Sequence, residues 1–185
     1  ASDNGASSEV VNIEDDYGKI GSLTRWASQG ANWANVSNTP FRFYKNFSHM
    51  GGMASPLIAY WPEGIHEKGR IVHQAGHFID FMPTFIELSG ASYPSTQDGV
   101  DITPMEGKSL VPIFRNEEFD DERVLFNRWQ KGKTVITPDW KMVTHRNGGD
   151  WELYNMRNDI TETNDLSSEN PEVIEELEKL YEEWM

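Results

Sequence analysis

The sequence predicts an α/β protein in which a region typical of a parallel sheet is followed by a small antiparallel sheet and a C-terminal helix. Three patterns support this fold class. They are an apolar run at residues 56–61, a series of strand-like runs between residues 124 and 154, and an amphipathic stretch at residues 170–184. Short runs bounded by Gly and Pro are typical of strands, and apolar positions three and four apart are typical of helices.

The apolar run at residues 56–61 is closed by Pro62 and Gly64. Because it is continuously apolar, it predicts a buried strand covered on both faces, in a parallel sheet whose other strands are missing from this chain. A second pattern begins at Asp80, continues with apolar residues three and four apart, and ends at Gly90. It predicts a short helix with Asp80 as its N-cap, packed on that sheet.

The C-terminal third carries four short strand-like runs separated by turn residues. The runs lie at residues 124–126, 133–137, 140–144 and 151–154. Their spacing predicts an antiparallel meander. The last segment has Asn170 at the predicted cap and Pro171 at the first helical position, followed by one apolar stripe. We therefore expect a helix that lies on the small sheet.

Residues 6–40, by contrast, carry no clear pattern of a strand or a long helix. They are rich in Ser, Asn and Gly and show little periodicity. This composition predicts a long irregular segment with at most short helical turns. Such a long loop is unusual inside a compact domain and is more often functional or partly disordered.

Composition excludes several classes of function. The 185 residues carry a formal net charge of −14 and include no Cys. Nucleic acid and anionic lipid require clustered Lys and Arg, so neither is expected as a partner. The lack of Cys excludes a disulfide framework and a thiolate metal site. No apolar run approaches the roughly 20 residues that cross a bilayer, so no membrane span is expected.

Asp3 and Asn4 place two oxygen ligands side by side, and Gly5 follows them. Oxygen-only ligation suits calcium or magnesium, and Gly allows the backbone to turn so that both side chains face one point. Calcium takes six to eight oxygens, so such a site needs partners from elsewhere in the fold. The same tripeptide is also typical of an ordinary turn.

Lys45 lies between Arg42 and His49, shortly before the pair Gly51 and Gly52. Three basic groups so close together reverse the local sign of an acidic chain. A basic side chain beside a glycine-rich stretch can approach an oxyanion closely, which predicts an anion-binding loop. A solvated basic loop is the alternative.

Ordered along the chain, these motifs resemble the second half of a formylglycine-dependent sulfatase of the arylsulfatase-like type, within the alkaline phosphatase superfamily. The resemblance covers nearly the whole chain and depends on the order and spacing of its segments. Those segments are residues 2–5, 40–62, 77–84, 98–100, 107–110, 140–141, 152–156 and 158–159, with Glu162.

The resemblance implies the C-terminal part of an alkaline-phosphatase-like α/β fold. Residues 1–114 would form the C-terminal part of the catalytic domain. Residues 115–185 would form a C-terminal subdomain of antiparallel sheet and helix. The chain does not begin with Met, so we expect an internal cut, with a targeting segment and the N-terminal part of the same fold upstream.

The resemblance also assigns roles to residues. Asp3 and Asn4 match metal ligands, usually of calcium, with magnesium as the alternative. Lys45 matches the lysine that holds the sulfate and stabilises the leaving oxygen, and Arg42 and His49 are expected to help bind the substrate. Met50 departs from the Glu that usually precedes the two glycines, so the hydrogen bonds of that Glu are not expected here.

The family's nucleophile is a formylglycine made from a Cys or Ser in a short Cys/Ser-x-Pro-x-Arg motif, which this sequence lacks. The resemblance therefore implies that the nucleophile lies upstream and that this chain alone is inactive. It implies a sulfated small molecule or glycan as substrate and a periplasmic or secreted location. Two alternatives remain open: a phosphodiesterase or phosphonate hydrolase of the same superfamily, and a non-catalytic fragment that acts as an interaction module.

Overall fold

The computed structural model describes residues 1–10, 18–19, 21–25, 28–119 and 122–185. The chain forms two compact units, one of Ala1–Ile58 with Glu122–Met185 and the other of Ala59–Asp121. The helices are α1 Gly30–Ser37, α2 Met50–Met53, α3 Phe81–Ser89, α4 Val111–Phe114 and α5 Pro171–Trp184. The strands are β1 Thr96–Gln97, β2 Val100–Asp101, β3 Leu125–Trp129, β4 Gly132–Ile136, β5 Trp140–Val143 and β6 Glu152–Asn155. In the described ranges, no helix combines the length and apolar character needed to span a bilayer.

The first unit is built on an antiparallel meander, which confirms the predicted sheet. Strands β3, β4, β5 and β6 are neighbours in chain order. Val135 pairs with Met142, and Met142 pairs with Leu153, so these three side chains lie on one face of the sheet. That face is the apolar one.

Helix α5 covers the apolar face, as predicted. Leu177 and Tyr181 of the helix are buried with Val135, Met142 and Leu153 of the sheet in one core cluster. Pro171 occupies the first turn, where its missing N–H leaves no bond unmade. Asn170 precedes the helix as predicted, but its side chain makes no capping hydrogen bond and donates instead to the Leu166 carbonyl oxygen.

The other face of the sheet carries polar side chains beside Ile136 and Val143, and most of it is buried. Lys141 pairs with Tyr154, and Glu152 stands two residues before Tyr154 on the same side of β6. Lys141 is fully buried, and Tyr154 is 1% exposed. A face of this kind needs polar partners, since burying an unpaired charge is costly. Residues 42–52 supply partners for Glu152 and Tyr154, and Glu162 supplies the partner for Lys141.

The predicted buried strand at residues 56–61 needs parallel neighbours from outside this chain, so it stays a prediction. This run belongs to no strand, and Ile58 and Tyr60 are 85% and 88% exposed. Both sheets formed by the described residues are antiparallel, so no parallel neighbour covers the run. A strand requires partners for its backbone groups, and an apolar pattern predicts a tendency without providing those partners.

The predicted helix after residue 80 is present, and it ends at Gly90 with φ +66°, as expected. Asp80 is its N-cap residue as predicted, but the Asp80 side chain makes no capping hydrogen bond to α3, and the packing on a parallel sheet stays a prediction. A 3₁₀ turn at Phe78–Asp80 precedes α3, and His77 caps that turn while Asp80 Oδ2 accepts the His77 N–H at 2.7 Å. Helix α3 contacts this turn and α4, and no parallel sheet lies under it in the described part of the chain.

Helix α1 is the one element of the described part of residues 6–40, which otherwise matches the predicted irregular segment. Residues 11–17, 20 and 26–27 of that segment lie outside the described residues. The predicted domain division at residues 114 and 115 stays a prediction. Within this chain, residues 1–58 belong to the same compact unit as the C-terminal sheet and helix.

Candidate active site

The segment that holds the predicted metal ligands runs beside residues 42–52, which we call the Lys45 loop. The Gly5 N–H donates to the Gly52 carbonyl oxygen at 3.0 Å. The Lys45 N–H donates to the Ala6 carbonyl oxygen, also at 3.0 Å. These two backbone bonds bring the pair Asp3 and Asn4 alongside the loop that carries the predicted sulfate-binding lysine.

Two glycines allow this close approach. A Cβ added at Gly5 would lie 1.7 Å from the Gly51 carbonyl oxygen, and one added at Gly51 would lie 2.2 Å from the Arg42 carbonyl oxygen. No larger residue fits either position without moving the backbone. The sequence predicted that Gly5 allows a turn, whereas in the structure Gly5 allows its segment to contact the Lys45 loop.

Asn38 joins the same two segments, and sequence reasoning missed it. Its Oδ1 accepts the Ala6 N–H at 3.0 Å, and its Nδ2 donates to the Phe43 carbonyl oxygen at 2.9 Å. The Asn-Thr-Pro sequence at residues 38–40 is typical of a loop, so nothing local distinguishes this amide from an ordinary turn residue.

The backbone around Lys45 is held in an uncommon conformation. Phe43 and Asn46 have φ values of +62° and +78°. This region costs a residue with a side chain roughly 1 to 2 kcal/mol, and Asn tolerates it better than Phe. Packing holds Phe43 in place, since its ring stacks on Phe47 with centroids 4.2 Å apart. Such strained positions cluster at functional sites.

The Lys45 ammonium group lies 3.3 Å from Glu9 Oε1, and the two side chains are 33% and 61% exposed. An exposed pair of this kind contributes little to stability, because solvent screens the charges. An anion with two or three oxygens could therefore take the place of Glu9 at small cost.

Of the two predicted metal ligands, Asp3 lies at the surface and Asn4 is half-buried. Asp3 is exposed, and Asn4 Nδ2 donates to the Gly5 carbonyl oxygen at 2.7 Å, which leaves Oδ1 as the atom for a cation. Two hard oxygens fit calcium or magnesium as part of a shell. Across the described ranges, no group of three or more His, Cys, Asp or Glu side chains could hold a metal ion.

Arg42 and His49 are both bound to Glu152 of strand β6. Arg42 Nη1 lies 3.3 Å from Glu152 Oε2, and His49 Nε2 lies 3.0 Å from the same oxygen. Arg42 also donates to the Glu162 carbonyl oxygen at 2.9 Å and to the Tyr154 hydroxyl. His49 has no exposed surface, so direct contact with a substrate would require the loop to move.

The Glu152 carboxylate is kept ionised by its neighbours. Burial by itself would raise the pKa of Glu152, but hydrogen bonds from His49 and Tyr154, together with the charges of His49 and Arg42, lower it to about 2. Burial and the adjacent Glu152 carboxylate raise the pKa of the Tyr154 hydroxyl. The Glu152 carboxylate is therefore an anion that accepts hydrogen bonds from Arg42, His49 and Tyr154.

A second carboxylate, Glu162, binds the far end of the Lys45 loop. Its Oε2 accepts the Met50 N–H at 2.8 Å, and its Oε1 lies 2.6 Å from Lys141 Nζ. Both charged side chains are fully buried. Burial lowers the pKa of Lys141, while Glu162 opposes that shift. The loop is bound here through the Met50 backbone, so the departure from Glu at this position leaves this contact intact.

Asp159 shapes the turn that carries Glu162, whose φ is +58°. Its carboxylate accepts the N–H groups of Thr163 and Asn164 and the hydroxyls of Thr161 and Thr163. Burial would raise the pKa of Asp159, but these donors lower it. The turn is thus held by one side chain.

Sequence reasoning did not assign functions to Glu152, Tyr154, Lys141 or Glu162. A signal was present for two of them, because Lys141 and Glu152 interrupt apolar strand runs. A charged residue inside a buried strand requires a partner of opposite charge. The sequence contains many candidate partners, so it could not select Arg42 and His49.

Comparison with known proteins identifies the family of this chain. A family model described as N-sulphoglucosamine sulphohydrolase, C-terminal, matches residues 41–184. A sulfatase of Formosa agariphila is 30% identical over 161 residues, which are 79% of this chain and 28% of that protein. N-acetylgalactosamine-6-sulfatase of Canis lupus familiaris is 42% identical over 83 residues, covering 42% of this chain and 16% of that protein.

The fold also has solved counterparts. The crystal structure of Ps i-CgsB superposes with a TM-score of 0.68 over 84% of this chain and 34% of its own length, at 23% identity. At that identity the likeness concerns the fold alone. Because the family model takes in most of the chain, the predicted resemblance is confirmed: the chain belongs to the sulfatase family and corresponds to the C-terminal region of its members.

Proposed function

We propose that this chain is part of an enzyme that hydrolyses sulfate monoesters, with Lys45 at the sulfate. The observation that carries the proposal is the pair of backbone bonds that join residues 5 and 6 to the Lys45 loop. They bring two oxygen ligands and one accessible ammonium group to adjacent segments, a combination that suits a substrate bearing several anionic oxygens.

Lys45 supplies fixed positive charge in this proposal. As the ester bond breaks, negative charge grows on the oxygen of the departing alcohol or phenol. A preplaced ammonium group stabilises that charge more strongly in the transition state than in the ground state, which raises turnover. The Phe43–Phe47 ring stack and the hydrogen bond from Asn38 Nδ2 to the Phe43 carbonyl oxygen hold the main chain beside the lysine in one conformation, so little reorganisation is needed.

Asp3 and Asn4 would hold a calcium ion, with magnesium as the alternative, as part of a shell completed by other parts of the full-length protein. Such an ion neutralises charge on the sulfate oxygens. The nucleophile in the proposal is a formylglycine on a segment upstream of this chain. Both assignments depend on family membership, and the exposed Asp3 carboxylate with the adjacent Asn4 amide oxygen supports the first.

For the substrate we propose a sulfated small molecule or glycan, handled outside the cytoplasm in the periplasm or after secretion. The relatives support this class by their names, which include N-acetylgalactosamine-6-sulfatase and an ulvan-active sulfatase of Formosa agariphila, 26% identical over 167 residues. Ps i-CgsB has been crystallised with k-i-k-neocarrahexaose. The chain spans 28% and 33% of the two Formosa relatives, so the activity of the full-length protein stays a proposal.

Replacement of Lys45 tests the proposal. In the full-length enzyme, Lys45→Ala is expected to lower the kcat for an aryl sulfate about 100- to 1,000-fold, because it removes one charge aimed at the reacting group. The unfolding temperature should change little, since the side chain is a third exposed and its pair with Glu9 is weak.

Lys179→Ala is the matched control, because this lysine is exposed on α5 and pairs only loosely with Glu183 at 3.9 Å. It should retain wild-type kcat. Phosphate monoesters and diesters assayed beside the sulfate ester test the alternative superfamily chemistry. Wild-type turnover of the sulfate ester by Lys45→Ala would remove Lys45 from the site.

A further inference from the structure

We propose that Glu152 is a positioning residue for the reaction, acting through Lys45. The inference rests on the proposed function, since it requires Lys45 to work at the sulfate. It concerns a residue of strand β6 that lies more than 100 positions along the chain from the lysine it serves.

The geometry that points to this role is that one residue before Lys45 and one residue after it both bind the same oxygen, Glu152 Oε2. Glu152 Oε2 lies 3.3 Å from Arg42 Nη1 and 3.0 Å from His49 Nε2. Arg42 precedes Lys45 by three residues, and His49 follows it by four. A single carboxylate oxygen therefore closes the segment that presents the lysine, and movement of either side must stretch a charge-assisted hydrogen bond.

The carboxylate itself is well anchored. The Tyr154 hydroxyl donates to the same Glu152 oxygen, and the intervening Leu153 is fully buried in the core under α5. The Leu153 N–H donates to Asp165 Oδ1 at 3.0 Å, so this edge of the sheet is also tied to the following loop. A functional group placed by a strand is held more precisely than one placed by a loop alone.

The backbone between the two attachment points requires such support. Phe43 and Asn46, with φ values of +62° and +78°, both lie inside the segment closed by Glu152. Conformations of this kind persist only where the surroundings impose them. If the attachment weakens, the segment can relax and the ammonium group loses its fixed position.

The role is separable from folding. The apolar core of the unit is on the opposite face of the sheet, and the Lys45 loop keeps other attachments, including Met50 N–H to Glu162 Oε2 and Thr134 Oγ1 to the Ser48 carbonyl oxygen. Glu152→Gln keeps the size and one acceptor oxygen but removes the charge. We expect a folded enzyme with about tenfold lower kcat and nearly unchanged KM.

A double-mutant cycle in the full-length enzyme tests the inference with Glu152→Gln, Lys45→Ala and the combined variant. An aryl sulfate with an activated leaving group keeps the slow variants measurable. If Glu152 acts through Lys45, the tenfold loss in kcat disappears when Lys45 is already Ala. The loss should also be larger for a poor leaving group than for an activated one, which a purely structural defect would not produce.

Glu178→Gln is the control, since Glu178 accepts a hydrogen bond from Trp151 Nε1 at 2.9 Å and has no contact with the Lys45 loop among the described residues. It should leave kcat unchanged. If Glu152→Gln does not fold, His49→Gln, which releases one side only, replaces it with the same expected pattern.

Equal tenfold losses in both backgrounds, or a kcat unchanged by Glu152→Gln, overturn the inference and leave the proposed function standing. A Lys45→Ala variant with wild-type turnover overturns the proposed function, and the inference with it.

Discussion

At the residue scale, the chemistry-bearing side chains divide into exposed and buried groups. Asp3 is exposed and Lys45 is a third exposed, so both can meet a ligand. Glu162 is fully buried and Glu152 is half-buried, and each binds groups of the protein itself. A buried ion pair contributes little net stability, because desolvation offsets the attraction, but it costs much when broken. Such pairs therefore define a geometry more than they stabilise the fold.

The Glu152 carboxylate predicts a pH dependence of stability. Its pKa is about 2 in the folded chain against an ordinary 4.5, so its contribution is fully present above pH 4.5 and is lost as the pH falls towards 2. We expect the difference in unfolding temperature between wild type and Glu152→Gln to shrink between about pH 5 and pH 3. Thermal unfolding followed by circular dichroism measures this.

Glu182→Gln is the control for that series, because its side chain is exposed on α5. Its unfolding temperature should follow wild type at every pH. A difference between wild type and Glu152→Gln that stays constant with pH would show that charge does not carry the contribution of Glu152.

The two candidate metal ligands should differ in importance. Asp3→Ala is expected to weaken calcium binding by the full-length enzyme far more than Asn4→Ala, because a carboxylate contributes charge as well as an oxygen to a hard cation. Calorimetric titration of both variants with calcium measures this, and Asp150→Ala, at an exposed aspartate, should bind like wild type. Equal, near-native affinities for the two variants would remove both residues from the metal site.

At the element scale, the two faces of the four-stranded sheet pack against different parts of the chain. One face is apolar and is covered by α5, and the other is polar and receives the Lys45 loop. Alternation of side chains along a strand produces this division, because residues 152 and 154 point one way and residue 153 the other. The apolar face supplies stability, which lets the polar face carry charged groups.

Removal of one buried side chain of α5 should therefore destabilise the unit strongly. Leu177 is 3% exposed within the core cluster, so Leu177→Ala is expected to lower the free energy of unfolding by roughly 2 to 5 kcal/mol. Urea unfolding followed by tryptophan fluorescence measures the loss. Lys179→Ala on the exposed side of the same helix should change it by less than about 0.5 kcal/mol. Equal effects of the two substitutions would contradict the observed packing.

At the scale of the whole molecule, the chain carries part of the proposed site. Asp3, Asn4 and Lys45 belong to one compact unit, and that unit also contains the carboxylates that hold the loop. Two oxygens leave a bound cation mostly hydrated. The remaining groups of the proposed reaction belong to other parts of the full-length protein.

Expressed alone, this chain should hydrolyse no aryl sulfate and should bind calcium only weakly. Lys45 can attract an anion, but without an activated nucleophile it cannot open a sulfate ester. Release of phenol from an aryl sulfate, with the full-length enzyme as positive control, checks the first part, and calcium titration checks the second. Metal-dependent turnover by the chain alone would contradict the proposed division of the site.

Local patterns predicted much of the C-terminal region. The meander, the helix at Pro171–Trp184 and the stop at Gly90 each depend on alternation, on apolar spacing or on the backbone freedom of one glycine, and all three are confirmed. The order of motifs also identified the family. Asp3, Asn4 and Lys45 came from that order, and their roles stay predictions.

The sequence by itself thus determined the elements whose signals lie within a few residues of one another, and it determined the family through the succession of its motifs. Only the tertiary structure decided that residues 56–61 are exposed in this chain, that Glu152 binds Arg42 and His49, and that Glu162 binds the Met50 N–H. The physical reason is the distance along the sequence over which each kind of interaction acts. Periodicity and caps act between near neighbours, whereas partner strands and charge pairs join residues that the folded chain alone brings together.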